Sequence, residues 1–206
     1  MIAITSIMAV FALIVTLVAG LFVVYSRSYV NGHSMLPTLN ASLDLTGERD
    51  IVYINRFAGA DKGDIVVLDL RDYQNFKGYA IKRLIATEGD IVNIEYDTQT
   101  RQYNLLVNNK VLYSKPHQDF GYNTYSAFRQ YINNHSQDST RIKYIDDELQ
   151  GIIIKSNEIF VLGDNWDLSK DSSLVGPFKQ STMIGRVDII VKPNQNELWQ
   201  VLKRIF

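Results

Sequence analysis

The chain of 206 residues contains no cysteine. That absence excludes a disulfide framework, a zinc–thiolate site and a thiol nucleophile together. It permits an extracytoplasmic location without demanding one. Histidine is scarce: His33, His117 and His135 are widely scattered, and none has the i, i+4 partner of a helical metal site. Histidine is therefore not an obvious catalytic base, and neither a metal nor another cofactor is expected. Net charge is nearly absent as well, at −1, which argues against bulk attraction to nucleic acid. Charge is missing altogether from Met1 to Ser26, and the first charged side chain is Arg27.

About 20 apolar residues in a helix cross the hydrocarbon core of a bilayer, and the uncharged run is long enough. A cleaved signal peptide would carry a basic n-region, a shorter apolar run and a small-x-small exit. Here the n-region is uncharged, and Ala19-Gly20 is followed by more apolar sequence. A buried core helix is the other alternative. Residues 1–26 are read as an uncleaved, single-pass membrane anchor. Arg27, the only nearby positive side chain, sets its orientation poorly. About 180 residues remain, enough for one domain with a real core.

Asp50–Arg56, Gly63–Leu70, Tyr79–Ala86, Asp90–Tyr96 and Tyr103–Val107 are rich in β-branched residues and bounded by Gly and charged turns, so they read as strands. Asn108-Asn109 fits a hairpin turn into Val111–Tyr113. Strands resume at Gly151–Lys155, Glu158–Leu162 and Met183–Lys192. With no long helix between them, the fold class is mainly β: an antiparallel, sheet- or barrel-like domain behind the anchor. Residues 115–150 are polar and Tyr-rich, with helical spacing at Tyr125, Phe128 and Ile132. The organisation expected is an anchor over 1–26, a core over 27–96 and 151–195, an inserted subdomain over 97–150, and a C-terminal amphipathic segment over 196–206. The last segment suits either the core or a membrane surface, and core packing is the preferred reading.

Three stretches can carry chemistry. Gly32-His33-Ser34-Met35-Leu36-Pro37-Thr38-Leu39 places one small hydroxyl, Ser34, at a turn close behind the anchor. A serine is a poor nucleophile until a base takes its proton. Lysine can do this if its pKa falls by roughly 2–3 units from about 10.4, which burial achieves by disfavouring the ammonium. The candidate is Lys82, in Ile81-Lys82-Arg83-Leu84-Ile85. Successive strand side chains point to opposite faces, so one of Lys82 and Arg83 can turn inward while the other stays solvated; read alone, the pair is two solvated charges on a strand. The third stretch runs from Gly163-Asp164-Asn165 to Ser173, with two further acids and three serines after a strand exit. Read alone, it is a polar loop.

In this order, the pieces resemble the type I signal peptidases in their single-anchor, Gram-positive-like form: serine–lysine endopeptidases that remove signal peptides from exported proteins. The matching stretches are the anchor, Ser34–Leu39, Gly63–Val67, Ile81–Ile85 with Gly89-Asp90, Gly163-Asp164-Asn165 with Ser169 and Asp171-Ser172, Gly176, and Gly185-Arg186-Val187. The resemblance implies that Ser34 is the nucleophile, Lys82 the neutral general base, Ser169 the group orienting its amine, and Asp171 a support. The Ser34 backbone N–H would serve the oxyanion hole. Some members add a serine hydroxyl two positions earlier, where this chain has Gly32; losing one such donor costs about 2.7–4 kcal/mol in a known protease. Trp166 and Ser173 stand where the family usually has arginine, and the proline usual before Gly89 is absent.

By the same resemblance, the substrates are preproteins cut after small-x-small sites at the extracytoplasmic face of the cell membrane. Met35, Ile81 and Arg83 are candidate substrate contacts, an extended peptide pairing with the strand edge near Ile81–Arg83 by β-augmentation. The partners expected are preproteins and the lipid bilayer, with no nucleic acid and no metal. Two other readings compete. One is a non-cleaving scaffold or dedicated assembly factor for a narrow substrate such as a pilin. The other is a self-cleaving repressor, which needs a DNA-binding domain where this chain has its apolar run.

Overall fold

In the computed structural model, residues 2–41, 49–74, 76–116, 122–145 and 148–205 are described; His117, noted above, lies outside them. The helix α1 (Ile2–Val24) leads straight into β1 (Tyr25–Tyr29). Next come β2 (Ile51–Asn55), β3 (Ile65–Asp69), β4 (Tyr79–Thr87), β5 (Ile91–Asp97), β6 (Gln102–Val107), β7 (Lys110–Pro116) and α2 (Tyr122–Asn134). The chain ends with β8 (Ile142–Ile145), β9 (Glu148–Ile153), β10 (Glu158–Leu162), α3 (Ser172–Val175), β11 (Phe178–Lys179), β12 (Met183–Val191) and α4 (Glu197–Ile205).

The β-branched runs form two antiparallel sheets. One has seven strands in the order β1-β2-β12-β3-β4-β10-β11, the other five in the order β7-β6-β5-β9-β8. The mainly β, antiparallel expectation holds, and both strand orders are open, so any barrel is at most a half-barrel. The second sheet reaches past the expected insertion on both sides, taking in Ile91–Asp97 and Glu148–Ile153. Asn108 and Asn109 adopt φ of 52° and 61° and turn β6 into β7, the positive φ that a two-residue hairpin turn requires.

Alternation along the strands sorts the core into three clusters. Ile65 and Val67 of β3 join Met35 and Leu39 beneath the Ser34 turn. Val66, Leu68 and Leu84 pack on the opposite side with Val161 and Phe178. Ile85, Leu105, Phe160 and Leu162 meet Phe128 and Ile132 of α2 between the sheets. The helical spacing in the insertion is thus the buried face of α2.

Two features differ from expectation. β1 begins at Tyr25, inside the segment assigned to the anchor, because its partner β2 pairs with it from Tyr25↔Asn55 onward. α1 matches the uncharged run, but its side chains at 2–5, 17–18 and 21–22 lie outside the described residues, and among the described residues no helix is long and apolar enough to cross a membrane. At the other end, α4 does not enter the core: Leu198 and Trp199 are 67% and 56% exposed.

Candidate active site

The site begins at the turn after β1. Gly32 takes φ +81°, a left-handed conformation open to glycine at little steric cost, and a Cβ there would meet nothing within 4 Å. Leu36 N–H donates to the His33 carbonyl and Leu39 N–H to that of Met35, and the Leu36–Pro37 bond is cis. Met35 and Leu39 are buried under the turn, which pins the backbone and leaves the short Ser34 side chain beside the groove above. Met35, a candidate substrate contact, is thus only 2% exposed and belongs to the core.

Lys82 comes from β4, where it pairs with Val66 of β3 and shares a face with Ala80 and Leu84. It is 4% exposed. Its Nζ lies 2.8 Å from Ser34 Oγ and 3.0 Å from the Ile81 carbonyl oxygen. Burial pushes the amine well below the usual lysine range; the charges of Asp171 and Asp164 oppose this but do not win. Among the described residues, no carboxylate is hydrogen-bonded to Nζ. A neutral amine in this position donates one N–H to the Ile81 carbonyl and offers its lone pair to the Ser34 hydroxyl, the geometry a general base requires.

The loop after β10 closes the site. Asn165 N–H donates to the Ser34 carbonyl at 3.0 Å, and Thr38 Oγ1 donates to Asp164 at 2.5 Å, so the loop holds the turn at two points. Gly163 has no room for a side chain: a Cβ would collide with Ser169 Oγ and the Ser34 carbonyl oxygen. Ser169 therefore lies at the site, but among the described residues its buried hydroxyl has no hydrogen-bond partner; the second bond of Lys82 goes to Ile81 instead. Asp171, fully buried, accepts from Gly163 N–H at 2.9 Å, Ser173 N–H at 3.0 Å and Ser173 Oγ at 2.8 Å. It thereby caps α3.

The two replaced arginines find an explanation here. Ser173 gives Asp171 a hydroxyl and an amide in place of an ion pair. Trp166, 4% exposed, fills the cluster between the sheets beside Phe128 and Phe160. Its carbonyl accepts the Thr124 hydroxyl from α2, and Asn123 Nδ2 donates to the Asp167 carbonyl. The inserted helix thus braces the loop after β10 from behind, a role with no signal in the sequence.

Arg83 does not stay solvated. Its Nε and Nη2 donate to the two oxygens of Asp164 at 2.8 and 2.5 Å, and Nη1 donates to the Gly63 carbonyl at 2.6 Å. These three donors are committed to the protein. Asp164, read from sequence as part of a turn, instead joins the Ser34 turn, through Thr38, to β4, through Arg83. Ile81 lines a groove of about 410 Å³ with Ser34 and Lys82 at its floor. β10 stops pairing with β4 at Leu162↔Arg83, so among the described residues Tyr79–Ile81 have no strand partner on that side. An extended peptide can add there.

Comparison with known proteins points the same way. Residues 3–192 match the family model described as signal peptidase, peptidase S26. The chain is similar to signal peptidase IB of Staphylococcus aureus, 29% identical over 179 residues that cover 85% of this chain and 82% of the relative. It is also similar to signal peptidase I S of Bacillus subtilis, 27% identical over 186 residues, 88% and 86% of the two chains. A crystal structure of a signal peptidase I from Enterococcus faecalis matches at 21% identity and a TM-score of 0.38, covering 63% of this chain and 97% of that one.

Proposed function

The chain belongs to the signal peptidase family, peptidase S26, and from that premise we propose that it cleaves signal peptides from exported preproteins after small-x-small sites with a Ser34–Lys82 dyad. The observation carrying this reading is the 2.8 Å approach of a buried, uncompensated amine to a serine hydroxyl. Lys82 Nζ takes the Ser34 proton as Oγ attacks the scissile carbonyl carbon. The tetrahedral oxyanion faces the Ser34 N–H, with no side-chain donor from Gly32. Collapse breaks the C–N bond, and the Lys82 ammonium returns its proton to the leaving amine, the new N-terminus of the mature protein. Water, deprotonated by Lys82, then hydrolyses the acyl ester on Ser34.

The substrate enters the groove extended, adding as a strand to Tyr79–Ile81 so that its scissile bond lies over Ser34. In this reading α1 is the membrane anchor and the domain sits on the extracytoplasmic side. Met1 to Ser26 carries no charge, and 23 helical residues span about 34 Å against a hydrocarbon core of about 30 Å. The scaffold reading rested on Trp166 and Ser173; both have structural partners here, which leaves it without a supporting observation.

The test is cleavage of an ordinary preprotein by the detergent-solubilised chain, with the cut mapped. Ser34→Ala and Lys82→Ala each abolish the cut while the domain stays folded. Full activity in Lys82→Ala would sink the dyad, and a cut away from a small-x-small site would sink the specificity. Resistance of the full chain to alkaline extraction from membranes tests the anchor separately.

A further inference from the structure

The C-terminal helix sits where the core cannot use it. Its first residue, Glu197, accepts from Arg27 Nε at 2.6 Å and from the Tyr53 hydroxyl at 2.6 Å. That ties the helix to β1 and β2, three residues beyond the end of α1. From there it runs back toward the junction of α1 and β1, since Arg204 stands close enough for its charge to act on the Tyr25 hydroxyl. Val201 and Leu202 are half-buried, while Leu198, Trp199, Lys203 and Arg204 are exposed. Lys203 Nζ lies 5.4 Å from the centre of the Trp199 ring. The exposed surface is therefore one tryptophan and one leucine flanked by two cations, beside the point where α1 ends.

We propose that α4 is an interfacial helix that lies on the bilayer leaflet from which α1 emerges, with Leu198 and Trp199 at the headgroup–acyl boundary and Lys203 and Arg204 on anionic lipid phosphates. This rests on the anchor reading of α1. Tryptophan is enriched at that depth, and a short amphipathic helix with basic residues binds by apolar burial plus attraction to anionic lipid. A second protein is the weaker fit, because two apolar side chains offer far less than the roughly 800 Å² per partner of a stable interface. Attached through α1 and α4, the domain could not swing freely about its anchor, and the groove over Ser34 would keep one height above the membrane.

The chain has two tryptophans, which makes the test direct. Trp166 is 4% exposed inside the core and serves as an internal reference. The full-length protein is placed in phosphatidylglycerol-containing vesicles whose acyl chains are brominated near the headgroup. Quenching of most of the Trp199 emission is expected, with the effect lost in Trp199→Phe. Lys203→Glu with Arg204→Glu should weaken the quenching in anionic vesicles. Trp199 emission that iodide quenches from the water while brominated lipid does not would overturn the proposal. So would emission that neither agent reaches, which would mean that protein covers the helix. Release of the chain by alkaline extraction would overturn the anchor and this inference together. Retention with unquenched Trp199 would overturn this inference alone.

Discussion

Lys82 and Arg83 are neighbours on β4, and the two sides of that strand treat a cation in opposite ways. On one side, Arg83 forks onto Asp164 and reaches the Gly63 carbonyl, with its side chain 19% exposed. On the other, Lys82 is 4% exposed and, among the described residues, hydrogen-bonds only to a hydroxyl and a carbonyl. A guanidinium does not lose its proton in a protein, so it must be paired when it leaves water. An ammonium can become neutral instead. One side of the strand is therefore scaffold, and in the proposed reading the other is reactive. In that reading, Lys82 owes its role as base as much to having no ion-pair partner among the described residues as to any contact it makes.

The largest expected effect comes from removing the amine without removing its volume. Lys82→Met should lower kcat by about 10²–10⁴, the usual contribution of a general base. It should leave the thermal midpoint unchanged or raised, because an apolar chain suits the cavity. A marked loss of stability would show that the amine holds the fold together and would weaken the contrast. Arg83→Met tests the opposite side. It strands Asp164, 15% exposed, and should destabilise the domain by about 2–4 kcal/mol in denaturant unfolding, somewhat below the loss for a fully buried pair. An unchanged midpoint would mean that Asp164 tolerates water and that the ion pair is not structural.

The pH profile sharpens the same contrast. If the proposed dyad holds, the reaction needs neutral Lys82, and burial lowers its pKa, so activity should rise with pH along an acid limb centred below the ordinary lysine value of about 10.4. The Asp171 charge stabilises the ammonium and holds that pKa up. Asp171→Asn should therefore move the limb to lower pH, even as total activity falls from the disturbed cap. A limb that moves upward would show that Asp171 acts on Lys82 through its position and not its charge.

How much of this was legible in the sequence follows from range. Most of the strands were visible because β-branched runs and Asn108-Asn109 act locally; the short β8 and β11 were not. Ser34 and Lys82 were visible through their motifs, although 48 residues separate them. The partner of Arg83 lies 81 residues away, and no local pattern distinguishes a cation aimed at a substrate from one aimed at Asp164. Trp166 looked like a lost arginine because the core cluster that holds it is assembled from α2 and strands of both sheets. β1 was hidden by following the helix without a turn signal. The apolar spacing of α4 is the same for a core face and a lipid face, and only its exposure separates them.

The smallest effect concerns the brace behind the loop. Thr124 sits in the inserted helix, 42 residues from the Trp166 carbonyl that accepts its hydroxyl, and both are buried. Thr124→Val keeps the shape and removes the donor, leaving that carbonyl unsatisfied at about 1–2 kcal/mol. If the brace only stabilises, the midpoint falls and the kinetics at low temperature stay unchanged. If it positions the loop that carries Asp164 and Ser169, kcat falls a few-fold at constant KM, and Thr124→Ser restores it. The two outcomes decide whether the scaffold side of β4 ends at Asp164 or extends through Trp166 into the inserted sheet.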